Sequence, residues 1–230
     1  MANLIAIMGA SGTGKSTSIG ETKELGIKGL NPKETAVINV SKKPLPFRGA
    51  SVYKEGIKEG GNLSTVDSCQ QVKAVIQFIN TSRPDIKTVV IDDAGYLMGF
   101  DVMRRSKDKG YDKWTDLATE MFHVIDAARN SRDDLNFIFI FHTEKGDDGL
   151  MKIKTAGKLL DNAIYIDGLF TFILVSKAEF NIVENKVDYK FITQNNGTTT
   201  GKSPYGCFDV EIPNDLGYVI ERINEYYKTN

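Results

Sequence analysis

Eight residues near the start, "GASGTGKS" from Gly9 to Ser16, carry the spacing G-x-x-x-x-G-K-[ST] at every fixed position. Glycine there lets the backbone curl until successive amides point inward, toward the oxygens of a phosphate chain. Gly9, Ala10, Ser11, Gly12, Thr13, Gly14, Lys15, Ser16 and Thr17 are expected to hold a nucleotide. Lys15 is expected to reach the β- and γ-phosphates, and the Ser16 hydroxyl to ligate Mg²⁺. A glycine-rich turn would fit this pattern by chance with odds of about one in a hundred in a chain of this length. The motif also follows an apolar run and precedes a helix-compatible run from Lys15 to Leu25.

The second chemical feature is "VVIDD". A carboxylate at the end of a buried strand can hold Mg²⁺ through its water shell, and a neighbour can orient an attacking water. Asp92 is the expected metal ligand and Asp93 the expected base. A second Gly-Lys-Ser stands in "NNGTTTGKSPYG", Asn195 to Gly206. It fails as a phosphate loop, because Asn196 occupies the first glycine position. Pro204 also follows Ser203 where a helix would form its first turn.

These residues need a scaffold, and the apolar pattern supplies one. "NLIAIM" (3–8), "TAVINV" (35–40), "TVVIDD" (88–93) and "NFIFIFH" (136–142) are continuous apolar runs, the signature of strands covered on both faces. Between them Val72, Val75, Ile76 and Ile79 recur at helical spacing, as do Trp114, Leu117, Met121, Phe122 and Ile125. The expected fold is therefore α/β and doubly wound. "YIDGLFTFILVS", "EFNIVE" and "VDYKFITQ" follow one another as strands, with a hairpin turn at Asn185-Lys186. A last amphipathic helix with Leu216, Val219, Ile220, Ile223 and Tyr227 on one face is expected after Asn214 as its cap. No repeat or long linker divides the chain, so residues 1–230 are expected to be one domain.

Composition narrows the classes. Lys plus Arg number 29 against 30 Asp plus Glu, so no whole-molecule field draws the chain to nucleic acid or membrane. Cys69 and Cys207 lie far apart and away from either histidine, which predicts inert thiols and no cysteine–histidine metal site. "MANLIAIM" has no basic leader, and no apolar run reaches the length of a membrane span. The expected location is cytoplasmic, with no membrane partner.

The order of these features resembles the core of RecA-type recombinases and their relatives, the phage single-strand-annealing (Sak-type) ATPases. After "VVIDDAGYL" come a charged loop, "MGFDVMRRSKDKGYDK", an amphipathic stretch, "FIFIFHTE", a second loop "KGDDGLMKIKTAGK" and the strand "AIYIDGLFTFILV". The resemblance implies a P-loop NTPase with a RecA-like, mostly parallel sheet flanked by helices, C-terminal antiparallel strands and a terminal helix. It implies ATP and Mg²⁺ as cofactors, a host-cytoplasmic phage protein, and action on single-stranded DNA, with a single-strand-binding protein as a further partner.

Carried over by position, His142 falls at the γ-phosphate sensor, where relatives often hold an amide; an imidazole can bond a phosphate oxygen or the attacking water. Glu144 is a second candidate for positioning water, so the base stays open between Asp93 and Glu144. The two loops imply DNA contacts from Arg104, Arg105, Lys107, Lys109, Lys152 and Lys154. Loop 98–113 holds five basic and three acidic residues, and 143–158 holds four and three. Basic side chains near Phe100 and Tyr111 suit a strand whose phosphates need cations and whose bases stack. "NNGTTTGKSPYG" itself resembles the late hairpin loop of RadA and KaiC proteins, whose lysine reaches a neighbouring subunit's γ-phosphate. Lys202 would act there in a homo-oligomer, with Pro204 standing where those relatives carry arginine.

Two other readings fit a phosphate loop. A small nucleoside or metabolite kinase needs an arginine-rich lid, and Arg104-Arg105, directly after the acidic strand, is awkwardly placed for one. A nucleotide-gated module that loads or recruits another replication protein would bind ATP and barely hydrolyse it.

Overall fold

A computed structural model describes residues 1–108, 112–155 and 165–228. The strands are β1 (Asn3–Gly9), β2 (Thr35–Asn39), β3 (Leu63–Ser64), β4 (Thr88–Asp92), β5 (Asn136–Lys145), β6 (Met151–Ile153), β7 (Phe172–Asn181), β8 (Lys186–Ile192) and β9 (Glu211–Pro213). The helices are α1 (Cys69–Ser82), α2 (Gly95–Arg104), α3 (Asp112–Arg129) and α4 (Leu216–Lys228). The sheet runs β3-β2-β4-β5-β1-β7-β8-β9, with β6 paired to the extension of β5. From β3 to β7 the pairings are parallel; β7–β8 and β8–β9 are antiparallel. This is the mixed α/β fold the sequence pattern predicts, with the antiparallel strands and terminal helix at the C-terminal end.

Each continuous apolar strand serves two cores because successive side chains alternate faces. Leu4, Ala6 and Met8 point to one face with Phe137, Phe139 and Phe141, beneath α1, α2 and α3. Ile5, Ile7, Val37, Val90, Ile138 and Ile140 point to the other, beneath α4 and the stretch holding Ile19, Leu30, Leu45, Phe47 and Tyr53. The three phenylalanines of β5 are fully buried, and truncating one costs about 3–5 kcal/mol in comparable cores. That rigidity fixes where β5 delivers His142.

α1 begins at Ser68, whose side chain accepts from the Gln71 amide, and buries Cys69, Val72, Ile76 and Ile79. Burial pushes the Cys69 thiol up to about 12, and Cys207 is buried as well, so both behave as the inert thiols expected. Among the described residues no helix is long and apolar enough to cross a membrane.

Four expectations need correction. The run from Lys15 to Leu25 forms no α-helix, only 3₁₀ turns at Thr17–Ile19 and Lys23–Leu25. Gly20 is extended there, and the Phe47 ring fills the space where a Cβ would sit, 2.0 Å away. The Ser18 hydroxyl also bonds the Lys15 carbonyl, competing with helical pairing. Second, the charged loop expected from Met98 to Lys113 is helical at both ends, since α2 runs to Arg104 and α3 starts at Asp112. Third, the loop after β5 opens as a hairpin whose arms pair Glu144 with Lys152, and the stretch before β7 begins as a 3₁₀ turn at Ile166–Leu169. Fourth, Asp215 caps α4, accepting from the Gly217 and Tyr218 amides. Asn214 is taken up by Ser176 instead.

Candidate functional site

The phosphate loop leaves the carboxyl end of β1 in the middle of the sheet. Gly12 and Gly14 adopt positive φ, 80° and 85°, which other residues reach only with strain. Gly9 must lack a side chain, because a Cβ would meet the Ser176 carbonyl and the Thr13 hydroxyl at 2.7 Å. β7, the direct neighbour of β1, buttresses it: Ser176 Oγ donates to the Thr13 carbonyl at 2.5 Å, and Asn214 Nδ2 donates to Ser176 Oγ at 3.0 Å. Tyr189 of β8 and Asn214 press on Gly14 from outside. These props were not legible in the sequence, since they depend on the register of the β7–β8 hairpin.

Lys15 is buried, and its ammonium donates to the carbonyls of Gly9 (3.0 Å) and Ala10 (2.6 Å) within the loop. Burial holds its pKa below the ordinary lysine value, against the pull of Asp93 and Asp92. The next residue reaches across the sheet. Ser16 Oγ donates to Asp92 Oδ1 at 2.7 Å, from β1's loop to the end of β4, with β5 between the two strands. Asp92 is almost fully buried, and desolvation raises its pKa to about 6 despite the Ser16 hydrogen bond.

The pair has the chemistry Mg²⁺ takes: a hydroxyl and a carboxylate are hard oxygen donors. Among the described residues no cluster of three or more His, Cys, Asp or Glu side chains is placed to cage an ion. Two protein donors can suffice for Mg²⁺, which keeps waters and shares its coordination with substrate phosphates.

Asp93 lies just beyond β4 in the left-handed region, φ 59°. This turns its carboxylate toward β5 and β2 rather than along Asp92. Its Oδ1 is 3.4 Å from His142 Nε2, and its Oδ2 is 3.4 Å from Lys43 Nζ. The His142 contact lacks hydrogen-bond geometry, and its Nε2 is buried without a bonded partner. Burial, with the charge of Lys15 behind it, holds the imidazole below its ordinary pKa, so it is neutral at neutral pH. The Tyr96 ring packs edge-on against it at 5.6 Å.

β5 therefore brings Asp93 and His142 together and leaves Glu144 apart, on the hairpin arm beside Lys152 at 3.8 Å. Lys43 is the residue sequence reasoning missed. Its signal was the Ser-Lys-Lys-Pro run directly after the strand next to "VVIDD".

The remaining expected residues sit elsewhere. Arg104 pairs with Asp67 (2.7 Å) and Asp101 (3.0 Å), and Arg105 with Asp108 (2.8 Å) and Asp116 (2.9 Å). Lys107 is exposed beyond α2. Lys152 lies on β6, and Lys154 follows it, its amide bonded to the His142 carbonyl. Lys109 lies outside the described residues. Lys202 pairs through its backbone with Ile173 of β7, and its charge acts on half-buried Asp167.

A family model described as an AAA domain matches residues 1–205. Comparison with curated proteins gives no match. Among solved structures the chain is similar to a KaiC-like protein from the hyperthermophilic archaeon Pyrococcus horikoshii OT3. The two are 12% identical, with a TM-score of 0.40 over 83% of this chain and 77% of that one.

Proposed function

We propose that this chain, which belongs to the AAA domain family, hydrolyses ATP with Mg²⁺ and acts on single-stranded DNA as an oligomer of phage recombination type. The observation that carries the ATPase reading is the convergence of Lys15, the Ser16–Asp92 pair and the Asp93–His142 pair at one edge of three adjacent strands, β4, β5 and β1.

Each residue has a distinct task. Lys15 binds the β- and γ-phosphates, and the loop amides around it fix the chain of phosphates. Ser16 and Asp92 would hold Mg²⁺, which neutralises charge developing on the phosphate oxygens. Asp93 accepts a hydrogen bond from the attacking water and aims its oxygen at the γ-phosphorus. His142, neutral, orients that water or a phosphate oxygen. Glu144, engaged with Lys152, is the weaker choice for the base.

The DNA part rests on chain order and on β5. The same strand that delivers His142 runs on into the hairpin that carries Lys152 and Lys154. Phosphate contacts would come first from Lys154 and Lys107, because Arg104 and Arg105 are already engaged by carboxylates and Lys152 lies beside Glu144. Lys202 serves the reaction from a neighbouring subunit in this reading, supplying charge as a trans-acting finger does.

The test is the ATPase rate against protein concentration, with and without single-stranded DNA. Turnover per subunit that rises with concentration and is stimulated by DNA is expected. Turnover that ignores both removes the oligomer and the DNA, and absence of phosphate release removes the ATPase.

A further inference from the structure

Two residues other than glycine stand in the left-handed region at facing strand ends: Asp93, φ 59°, after β4, and Lys42, φ 59°, after β2. β2 and β4 are direct neighbours, with Asn39 registered against Asp92. Strain of this kind persists only where surrounding contacts over-determine it, and it concentrates at functional positions.

The turn after β2 is held by several independent contacts. Asn39 Nδ2 donates to the Lys43 carbonyl at 2.7 Å, and the Lys42 amide donates to Asn39 Oδ1 at 3.0 Å. The Val40 amide bonds the Asp92 carbonyl at 3.2 Å, and Lys42 Nζ pairs with Asp67 at 2.9 Å. Pro44 then restricts Lys43 to an extended backbone. The result of all this is the placement of one ammonium: Lys43 Nζ, 3.4 Å from Asp93 Oδ2 and 5.3 Å from the centre of the Tyr96 ring.

The Lys43–Asp93 contact is a poor reason for such a turn. The Lys43 side chain is 64% exposed, and an ion pair whose cation stays largely in water at this distance contributes little to stability, although Asp93 itself is buried. A loosely held cation beside a phosphate loop is suited to moving onto a stronger anion. Its charge already reaches the site, since it opposes protonation of both Lys15 and His142, though burial is the larger influence on each.

We propose that Lys43 is a cation that reads the γ-phosphate of a bound nucleoside triphosphate in cis, parked on Asp93 until that phosphate arrives. Transfer of Lys43 to the phosphate frees Asp93 Oδ2 to accept from the attacking water. Triphosphate binding and activation of the base are thereby one event. A diphosphate, which presents nothing at that position, leaves the Lys43–Asp93 pair intact.

This inference rests on the nucleotide reading above, and the test separates the two. Affinity for ADP and for a non-hydrolysable ATP analogue is measured by calorimetry on the full chain and on the Lys43→Ala, Lys43→Arg and Lys15→Ala variants. Loss of one charge-assisted contact predicts that Lys43→Ala weakens the triphosphate about tenfold or more and changes ADP less than about twofold. Lys43→Arg is expected to restore most of the difference, and Lys15→Ala to weaken both ligands. If Lys43→Ala weakens both equally, or neither, while Lys15→Ala behaves as expected, the γ-phosphate role is lost. If Lys15→Ala leaves both affinities unchanged, the nucleotide site itself is lost. Thermal melting of each variant shows whether it is folded, and an unfolded Lys43→Ala would refute the proposal, which requires Lys43 to be dispensable for the fold.

Discussion

Ser16 Oγ and Asp92 Oδ1 are 2.7 Å apart, so the phosphate loop is tied by a hydrogen bond to a strand two places away in the sheet. The bond spans β5 and brings together the two oxygens proposed to hold Mg²⁺. Because burial raises Asp92 to about 6, its carboxylate must lose a proton before it can serve Mg²⁺.

Mg²⁺-dependent nucleotide affinity is therefore expected to fall about tenfold per pH unit below pH 6, and to level off above it. The sign for stability is the reverse. The folded pKa lies above the value of 3.8 for the free side chain, so the native state holds more protons between about 4 and 6. Stability is lost as pH rises through that window. Asp92→Asn should stabilise the nucleotide-free fold at pH 7 by on the order of 1–3 kcal/mol while abolishing the Mg²⁺ dependence of binding. Denaturant melts at pH 4 and pH 7 check it; an Asp92→Asn protein no more stable than wild type at pH 7 contradicts it.

His142 should titrate in the opposite sense. The chain has two histidines, so two imidazole resonances are expected in a proton NMR titration. One, His142, should move to a pKa below 6.5. Its stabilising contribution is complete above 6.5 and is lost as pH falls through the folded value, because the unfolded imidazole takes up its proton first. His142→Asn should erase that acid-side loss, retain ATP binding, and reduce kcat about tenfold or more through a misplaced water.

The sheet was readable because burial on both faces leaves an unbroken apolar run, and the phosphate loop because its glycine spacing is a backbone requirement. What stayed hidden depends on contacts between distant segments. Nothing in the residues 15–25 reveals that Phe47 will lie on Gly20 and prevent a helix. Lys43 reads as a surface lysine until Asn39 folds the turn that aims it. Asn214 and Asp215 are equally good caps by type, and Ser176 decides between them by claiming Asn214.

Asp215 carries a prediction of its own. Besides capping α4, its carboxylate accepts from the Lys28 amide at 2.7 Å and the Gly29 amide at 3.1 Å. It joins the helix to the irregular segment that covers the same sheet face. The approach is close enough that a Cβ on Gly217 would meet the Gly29 carbonyl oxygen at 2.0 Å. Asp215→Ala should cost about 2–4 kcal/mol, the sum of a lost cap and two orphaned amides. Asp215→Asn should recover part of it. A shift in the urea midpoint of under about 0.5 kcal/mol equivalent would show the segment is held by its apolar contacts alone.

The second Gly-Lys-Ser is where an assembly would show itself. In its own subunit Lys202 is placed on β7 at Ile173, beside Asp167, whose carboxyl accepts from Thr200 Oγ1 at 2.5 Å. Burial raises Asp167, and the Lys202 charge works against that rise. The Lys202 charge thus acts locally on Asp167, and its loop is fixed on both sides, by the Ile173 pairing and by Thr198 and Thr200 bonding to Met151. A fixed lysine loop can serve a neighbour's γ-phosphate only if the neighbour docks against this face. Lys202→Ala should then keep ATP affinity and lose turnover by about 10³-fold, the scale of a missing finger. Lys15→Ala should lose both. Mixed, the two inactive variants regain activity, because some interfaces pair an intact Lys15 site with an intact Lys202. Recovery should follow the fraction of such mixed interfaces as the ratio is varied at fixed total protein. A mixture as inactive as its components would return Lys202 to a local role beside Asp167, with catalysis completed within one chain.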